Sequence, residues 1–366
     1  MRDILPELNG KDYIEKLNEN YEIRFLRTDE YEKLREFIDT YWRKDHIFVL
    51  SKEMFDFQHL NKAEDRYDFV VAEHKQSKEI HSILGFITTK HFDEKIKHLE
   101  VWPAIWKTRD DIKVKGLGVG LYYYLKEHLA IDNLSILGIS TIALSIYKHW
   151  NLETGKISHF VFPNQEIKDY VLSDGLEKIE KRKECKDTLA LKKLSLEDYE
   201  AIKGSETVFQ DLNRYKSKDY YINRYFKHPI YKYLLYSIAD EDTKAIMVAR
   251  ACGYDTHWCL RIVDFIGDIA YLEKVGMQLS ELMNKDGYEY IDLIEVGLNE
   301  KDLEKAQFAN KADYEGMIVP NYFEPFDKRN VDLDYAFRSL CDDEPVFFKA
   351  DSDQDRPNLL NQQERD

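Results

Sequence analysis

The chain has 366 residues, a mass of 43.6 kDa and a formal net charge of −16, a length that suggests about two domains of roughly 150 residues each. The acidic balance, with no cationic cluster, argues against a nonspecific grip on nucleic acid, and an aromatic content of 13% excludes a disordered chain. No stretch approaches the ~18 apolar residues of a membrane span, the opening MRDILPELNGKDYIEK is too polar for a secretory leader, and Cys185, Cys252, Cys259 and Cys341 form no C-x-x-C pair. The expectation is a cytoplasmic protein with no metal, no membrane and no nucleic-acid partner.

Taken in chain order, residues 23–34 (IRFLRTDEYEKL) read as a short strand running into a helix. Residues 67–92 read as two strands around a polar turn, and 98–106 as a further strand. Residues 113–125, KVKGLGVGLYYYL, place glycines at 116, 118 and 120 directly before an apolar helix over 118–130. Thr141–Tyr147 reads as the next strand, and the polar stretch 165–187 as the connector between domains 1–187 and 188–366. The second half then repeats the order. Residues 191–202 (LKKLSLEDYEAI) echo 23–34, with Ser195 as a helix cap. A hairpin follows over 231–253, a strand over 258–266 and a helix over 268–284. This is a mixed α/β layout rather than strict βαβ alternation.

The glycine-rich turn carries the most specific chemistry. A turn of this kind aims backbone N–H groups outward at a helix N-terminus, where the helix dipole favours a phosphate. The pattern is not a P-loop, because no Gly-Lys-Ser/Thr follows, and it fits a dinucleotide fingerprint poorly. Lys115-Gly116-Leu117-Gly118-Val119-Gly120 resembles the coenzyme A pyrophosphate loop of the GNAT N-acyltransferases, (Arg/Gln)-x-x-Gly-x-(Gly/Ala), with Lys115 in the place of the usual Arg or Gln. The resemblance covers residues 20–164. It implies a GNAT domain that binds acyl-CoA through residues 115–120. The second half has the same layout, but its junction Asp264-Phe265-Ile266-Gly267-Asp268 has one glycine and two carboxylates that repel a pyrophosphate. Two tandem GNAT-like domains with one acyl-CoA site follow, the second domain shaping the acceptor site.

In that family a backbone N–H of the strand before the loop can bond the thioester carbonyl. Here it comes from around Trp102 or Ala104, because Pro103 has no N–H. His98 and Glu100, two apart on this strand, are candidate bases for the acceptor ammonium or members of a solvated face. Tyr147, read at the end of the next strand, is a candidate acid for the leaving thiolate, and His149 a third base. For the acceptor, Asn321, Tyr322 and Glu324 lie in one aromatic-rich motif, and Asp353, Asp355, Arg356 and Asn358 in a dense polar cluster that serves equally as a capped turn. Arg261 lies in an apolar strand and needs a buried partner or a site role. A tandem arrangement of this size resembles the sugar N-acyltransferases, which implies transfer of an acetyl or 3-hydroxybutanoyl-like group to a nucleotide-linked amino-deoxysugar such as a dTDP-sugar of surface polysaccharide synthesis. Another amine acceptor (aminoglycoside, polyamine or protein lysine) and a non-catalytic binding module remain open.

Overall fold

The computed structural model describes residues 10–183, 186–202, 208–209, 216–322 and 327–360. The chain divides into two units, Met1–Ile136 with Ser339–Cys341, and Leu137–Arg338 with Asp342–Asp366.

The first unit runs α1 (Gly10–Leu17), β1 (Tyr21–Arg27), α2 (Tyr31–Phe37), α3 (Ile47–Leu50), α4 (Lys52–His59), β2 (Leu60–Asn61), β3 (Arg66–His74), β4 (Ile80–Thr88), β5 (Glu100–Thr108), α5 (Leu117–His128) and β6 (Asn133–Leu137). Its sheet follows the order β1-β3-β4-β5-β6. The first three neighbouring pairs are antiparallel and the last, β5 with β6, is parallel. Every residue of β4 is buried, so helices must cover both faces of the sheet. On one face Phe55 of α4 meets Phe69 of β3. Phe69 lies opposite Gly85, where a Cβ would come within 2.6 Å of its ring. On the other face, marked by Leu84 and its partner Trp106, lies α5.

The second unit runs α6 (Thr141–His149), β7 (Glu153–Lys156), β8 (Ser158–Pro163), β9 (Ala190–Leu194), α7 (Leu196–Ala201), α8 (Lys218–Tyr221), β10 (Tyr233–Ala239), β11 (Thr243–Tyr254), β12 (His257–Ile266), α9 (Gly276–Asp286), β13 (Tyr288–Val296), α10 (Glu300–Lys305), β14 (Ala309–Asn310), β15 (Asp334–Ser339) and β16 (Phe347–Phe348). Its main sheet has the order β14-β8-β13-β12-β11-β10-β9, with β16 added to β13. The run β9-β10-β11-β12-β13 repeats β1-β3-β4-β5-β6, including the parallel last pair, with α9 in the place of α5. The expected fold class, mixed α/β built twice, is the observed one. Ser195 caps α7 as expected, in a reciprocal box with Asp198.

Two elements differ from the sequence reading. Thr141–His149 is helix, not strand, because the Ser140 hydroxyl accepts from the Ala143 N–H and starts a turn. The strand that pairs with β5 is instead β6, eight positions earlier at its start. The units also part near 136/137 rather than at 187/188. The apolar run of β8 pairs along β13 from Tyr290↔Pro163 to Glu295↔Ser158, and Phe160 and Phe162 enter the second core.

A wholly buried ionic group sits at the centre of that second sheet. Arg261 of β12 holds Asp292 of β13 through Nε (3.0 Å) and Nη2 (2.8 Å), and Nη2 also donates to the Pro320 carbonyl. His159 of β8 donates to Asp292 from Nε2 at 2.9 Å. Burial pushes the His159 imidazole down to about 4, against the pull of Asp292. Burial alone would raise Asp292, but Arg261 and His159 carry it down to about 2. Between pH 6.5 and about 4 the unfolded His159 binds a proton that the folded one does not. Stability therefore drops as the pH is lowered through that window, by up to about 3 kcal/mol from this group. Asp292 adds a second loss between 3.8 and about 2. Urea midpoints measured at pH 7 and pH 4.5 should differ in this sense, and equal midpoints would contradict the buried neutral imidazole.

Candidate functional site

The two halves differ most at the junction of their parallel strands. In the first unit β5 and β6 are paired only at Glu100↔Asn133 and Val101↔Leu134. Beyond Val101 the strands diverge, and β5 runs on alone to Thr108 on that side. The β4–β5 register also shifts between Leu84↔Trp106 and Phe86↔Pro103. Ala104 and Ile105 therefore share the position opposite Gly85, which is a β-bulge. The extra residue of a bulge is left out of the ladder and its backbone groups turn aside. Among the described residues, nothing outside β4 bonds the backbone of Ala104 or Ile105. Sequence reasoning placed the free N–H near Trp102 or Ala104. The bulge lies at Ala104–Ile105, a feature visible only once the register with β4 is known.

The glycine loop follows at once. Gly116 caps α5 with φ 73°, a left-handed conformation that favours glycine. Its own first turn leaves the Gly118 and Val119 N–H groups without helical partners, while Gly120 already bonds back to Gly116. Trp106 Nε1 donates to the Gly118 carbonyl at 3.1 Å, and a Cβ on Gly118 would lie 2.9 Å from that same nitrogen. Tyr13 of α1 donates to the Lys115 carbonyl at 3.3 Å, fixing the entry to the loop. Lys115 itself is exposed, and Leu117 is buried beneath the turn. The loop thus presents backbone donors and a helix dipole to an anion.

Glu100 opens β5 and is 3% exposed. Ser135 of β6 donates its hydroxyl to Glu100 Oε1 at 2.6 Å, across the point where the strands begin to part. The register sets Glu100 and Trp102 on the face that carries Gly85 and Phe69, opposite α5. Trp102 is buried, and its Nε1–H has no partner among the described residues. His98 does not share this strand. It precedes β5 and turns toward Asp132, with Nδ1 3.8 Å from Oδ2. Tyr147 and His149 stand on helix α6, Tyr147 buried against Trp150 and His149 exposed.

The corresponding places in the second unit are taken by the chain itself. The N-terminus of α9, the equivalent of the glycine loop, is closed by Asp187, which accepts from the N–H groups of Met277 (2.9 Å) and Gln278 (2.8 Å). Strands β12 and β13 stay paired as far as Ile262↔Leu293. Where they would part, β16 lines β13 at Glu295↔Phe348 and Val296↔Phe347. The β12 bulge residue Val263, which the register with β11 skips, accepts from the Ala350 N–H at 2.9 Å. Lys216 then bridges Asp264 (3.0 Å) and Asp351 (2.7 Å), and Arg250 and Tyr233 bind Asp355 at 2.8 and 2.9 Å.

This placement accounts for the polar cluster at 351–358. Asp355 and Asp351 are buried inside the unit, and Asp353 is paired with Arg356. Arg261 is committed to Asp292. The Asn321 amide brackets the Val331 backbone, donating to its carbonyl and accepting from its N–H. Tyr322 and Asn358 are half-buried, and Glu324 lies outside the described residues. The sequence offered no sign of these partners, because alternating acids look alike whether they face water or a buried cation.

No known family profile matches the chain. No curated protein matches it either. Its architecture is similar to many solved structures, among them the following two. A GCN5-related N-acetyltransferase from Anabaena variabilis aligns with a TM-score of 0.53 at 9% identity, covering 87% of this chain and 72% of that one. A GCN5-related N-acetyltransferase from Kribbella flavida aligns with a TM-score of 0.51 at 11% identity, covering 88% and 72%. The likeness is one of fold.

Proposed function

We propose that the chain is an acyl-CoA-dependent N-acyltransferase with one acyl-CoA site, in the first unit. The observation that carries this is the contrast between the two junctions: β5 and β6 part beside a free bulge and a donor loop, whereas the second unit fills the same places with Asp187 and residues 347–351. The pantetheine arm lies along β5 in the gap, and the pyrophosphate on the N–H groups of Gly118 and Val119. The Ala104–Ile105 bulge stabilises the oxyanion, and the Trp102 indole N–H supplies a second donor to the arm. The acceptor nitrogen attacks the thioester carbon with its lone pair, the C–S bond breaks, and CoA leaves as thiolate. Glu100 removes the proton that the nitrogen must lose.

Within the class of amines, the acceptor we propose is a nucleotide-linked amino-deoxysugar, with dTDP the carrier and an acetyl or 3-hydroxybutanoyl-like group transferred. The paired layout supports this reading, as does a cleft of about 550 Å³ in the second unit. Lys181, Arg182 and Lys183 line that cleft, which suits a diphosphate, while Glu166 and Glu281 suit an ammonium. The test is release of free CoA from acyl-CoA across a panel of dTDP-, UDP- and GDP-amino sugars, aminoglycosides and polyamines. Turnover with a polyamine and none with any amino sugar removes the acceptor assignment. No turnover with any amine removes the enzyme.

Titration with CoA should give one site per chain. Gly118→Leu should raise the dissociation constant at least tenfold, about 1.4 kcal/mol, because its side chain must displace the Trp106 ring that borders the loop. Two sites per chain, or unchanged affinity in the variant, would contradict the single loop.

A further inference from the structure

His98, Asp132 and Cys341 come together in the first unit from three separate stretches: the approach to β5, the turn before β6 and the segment after β15. One ligand-type atom from each lies within 4.8 Å of the others, and all three residues are partly buried. Cys341 Sγ is 3.6 Å from Asp132 Oδ1, and His98 Nδ1 is 3.8 Å from Asp132 Oδ2. Zinc bonds of about 2.0–2.3 Å at tetrahedral angles separate neighbouring ligand atoms by about 3.3–3.7 Å. The two spacings to the Asp132 carboxylate lie close to those edges, one at each oxygen, and the His98–Cys341 edge, within 4.8 Å, closes on a side-chain adjustment.

The backbone around the cluster is fixed by hydrogen bonds. Asp132 exchanges with Leu99, its N–H donating to the Leu99 carbonyl while its Oδ2 accepts from the Leu99 N–H, both at 2.8–2.9 Å. Leu340 donates to the Asp132 carbonyl at 2.8 Å, and the Ser339 hydroxyl accepts from the Cys341 N–H at 2.9 Å. A carboxylate oriented by a second-layer donor is the usual support of a metal ligand. We propose that these three residues bind a zinc-like divalent transition-metal ion. The thiolate, imidazole and carboxylate set selects such an ion over magnesium or calcium, and water completes the fourth position. Binding releases the Cys341 thiol proton to solvent. The ion joins the bases of the two strands whose other ends part at the acyl-CoA slot, so this assignment does not depend on the proposed reaction.

The sequence reading expected no metal, because the ligands follow no short spacing: Asp132 and Cys341 are 209 positions apart. The test is titration of the metal-free full chain with Co²⁺ as a spectroscopic stand-in. The expected result is a near-ultraviolet sulfur-to-cobalt charge-transfer band with four-coordinate visible bands, all abolished by stoichiometric Zn²⁺. Cys341→Ser should lose the charge-transfer band, and Asp132→Asn should weaken Zn²⁺ binding at least tenfold. A wild-type spectrum without a sulfur band overturns the proposal, as does a band that survives in Cys341→Ser. Should either variant fail to fold, the wild-type protein decides alone: Zn²⁺ must raise its thermal midpoint at stoichiometric concentration, and no rise overturns the site.

Discussion

Glu100→Gln should lower kcat for acyl transfer by about 10²–10⁴-fold, with the affinity for acyl-CoA unchanged. The substitution keeps the size of the side chain and an oxygen that can accept from Ser135, so the junction of β5 and β6 remains as it is. What it removes is the ability to take a proton. An ammonium acceptor must lose one before or during attack, and in the proposed reaction the receiver is this buried carboxylate on the face opposite α5. Residual activity should rise with pH, as more of the acceptor is already neutral in solution. Full activity at neutral pH would show that Glu100 serves only to tie β5 to β6.

Asp355→Ala should destabilise the second unit by about 3–5 kcal/mol, read as a lower denaturant midpoint. Arg250 and Asp355 are each about 1% exposed at the side chain and share a 2.8 Å contact. Removing the acid leaves a guanidinium in the interior, stacked on Tyr231 but without its counter-charge. Tyr233 loses its acceptor at the same time. A loss below about 1 kcal/mol would place Arg250 in water rather than in the core.

The sequence made the duplicated layout legible through periodicity and punctuation. Strand-to-helix junctions at 23–34 and 191–202, polar-turn hairpins, and a glycine run before an apolar helix are local features, set by neighbours in the chain. The candidate site was legible where it is local: residues 115–120, and the strand containing Glu100 and Trp102. What stayed hidden depends on distant partners. Thr141–Tyr147 is rich in β-branched and aromatic residues and so reads as strand, and only the cap at Ser140 argues otherwise. Asp187 looks like one more charge in a polar connector, yet it closes a helix 90 positions away. The bulge at Ala104–Ile105 is a property of register between two strands, which no single segment encodes.

The insertion of residues 347–351 beside β13 bears on the order in which the protein is made. Strand β13 takes one neighbour from β8, far upstream, and another from β16, some fifty positions downstream. Domains that fold during synthesis do so as their last essential segment leaves the ribosome. The first unit's strands β1 to β6 have all emerged by residue 137, and that unit then lacks only Ser339–Cys341. The second sheet must wait until translation has passed Asp355, holding its apolar strands β10 to β13 unfinished in the meantime. A nascent chain halted before that point exposes the edge that β16 later covers, which makes the stretch from 297 to 355 the interval of greatest exposure to aggregation and to chaperones.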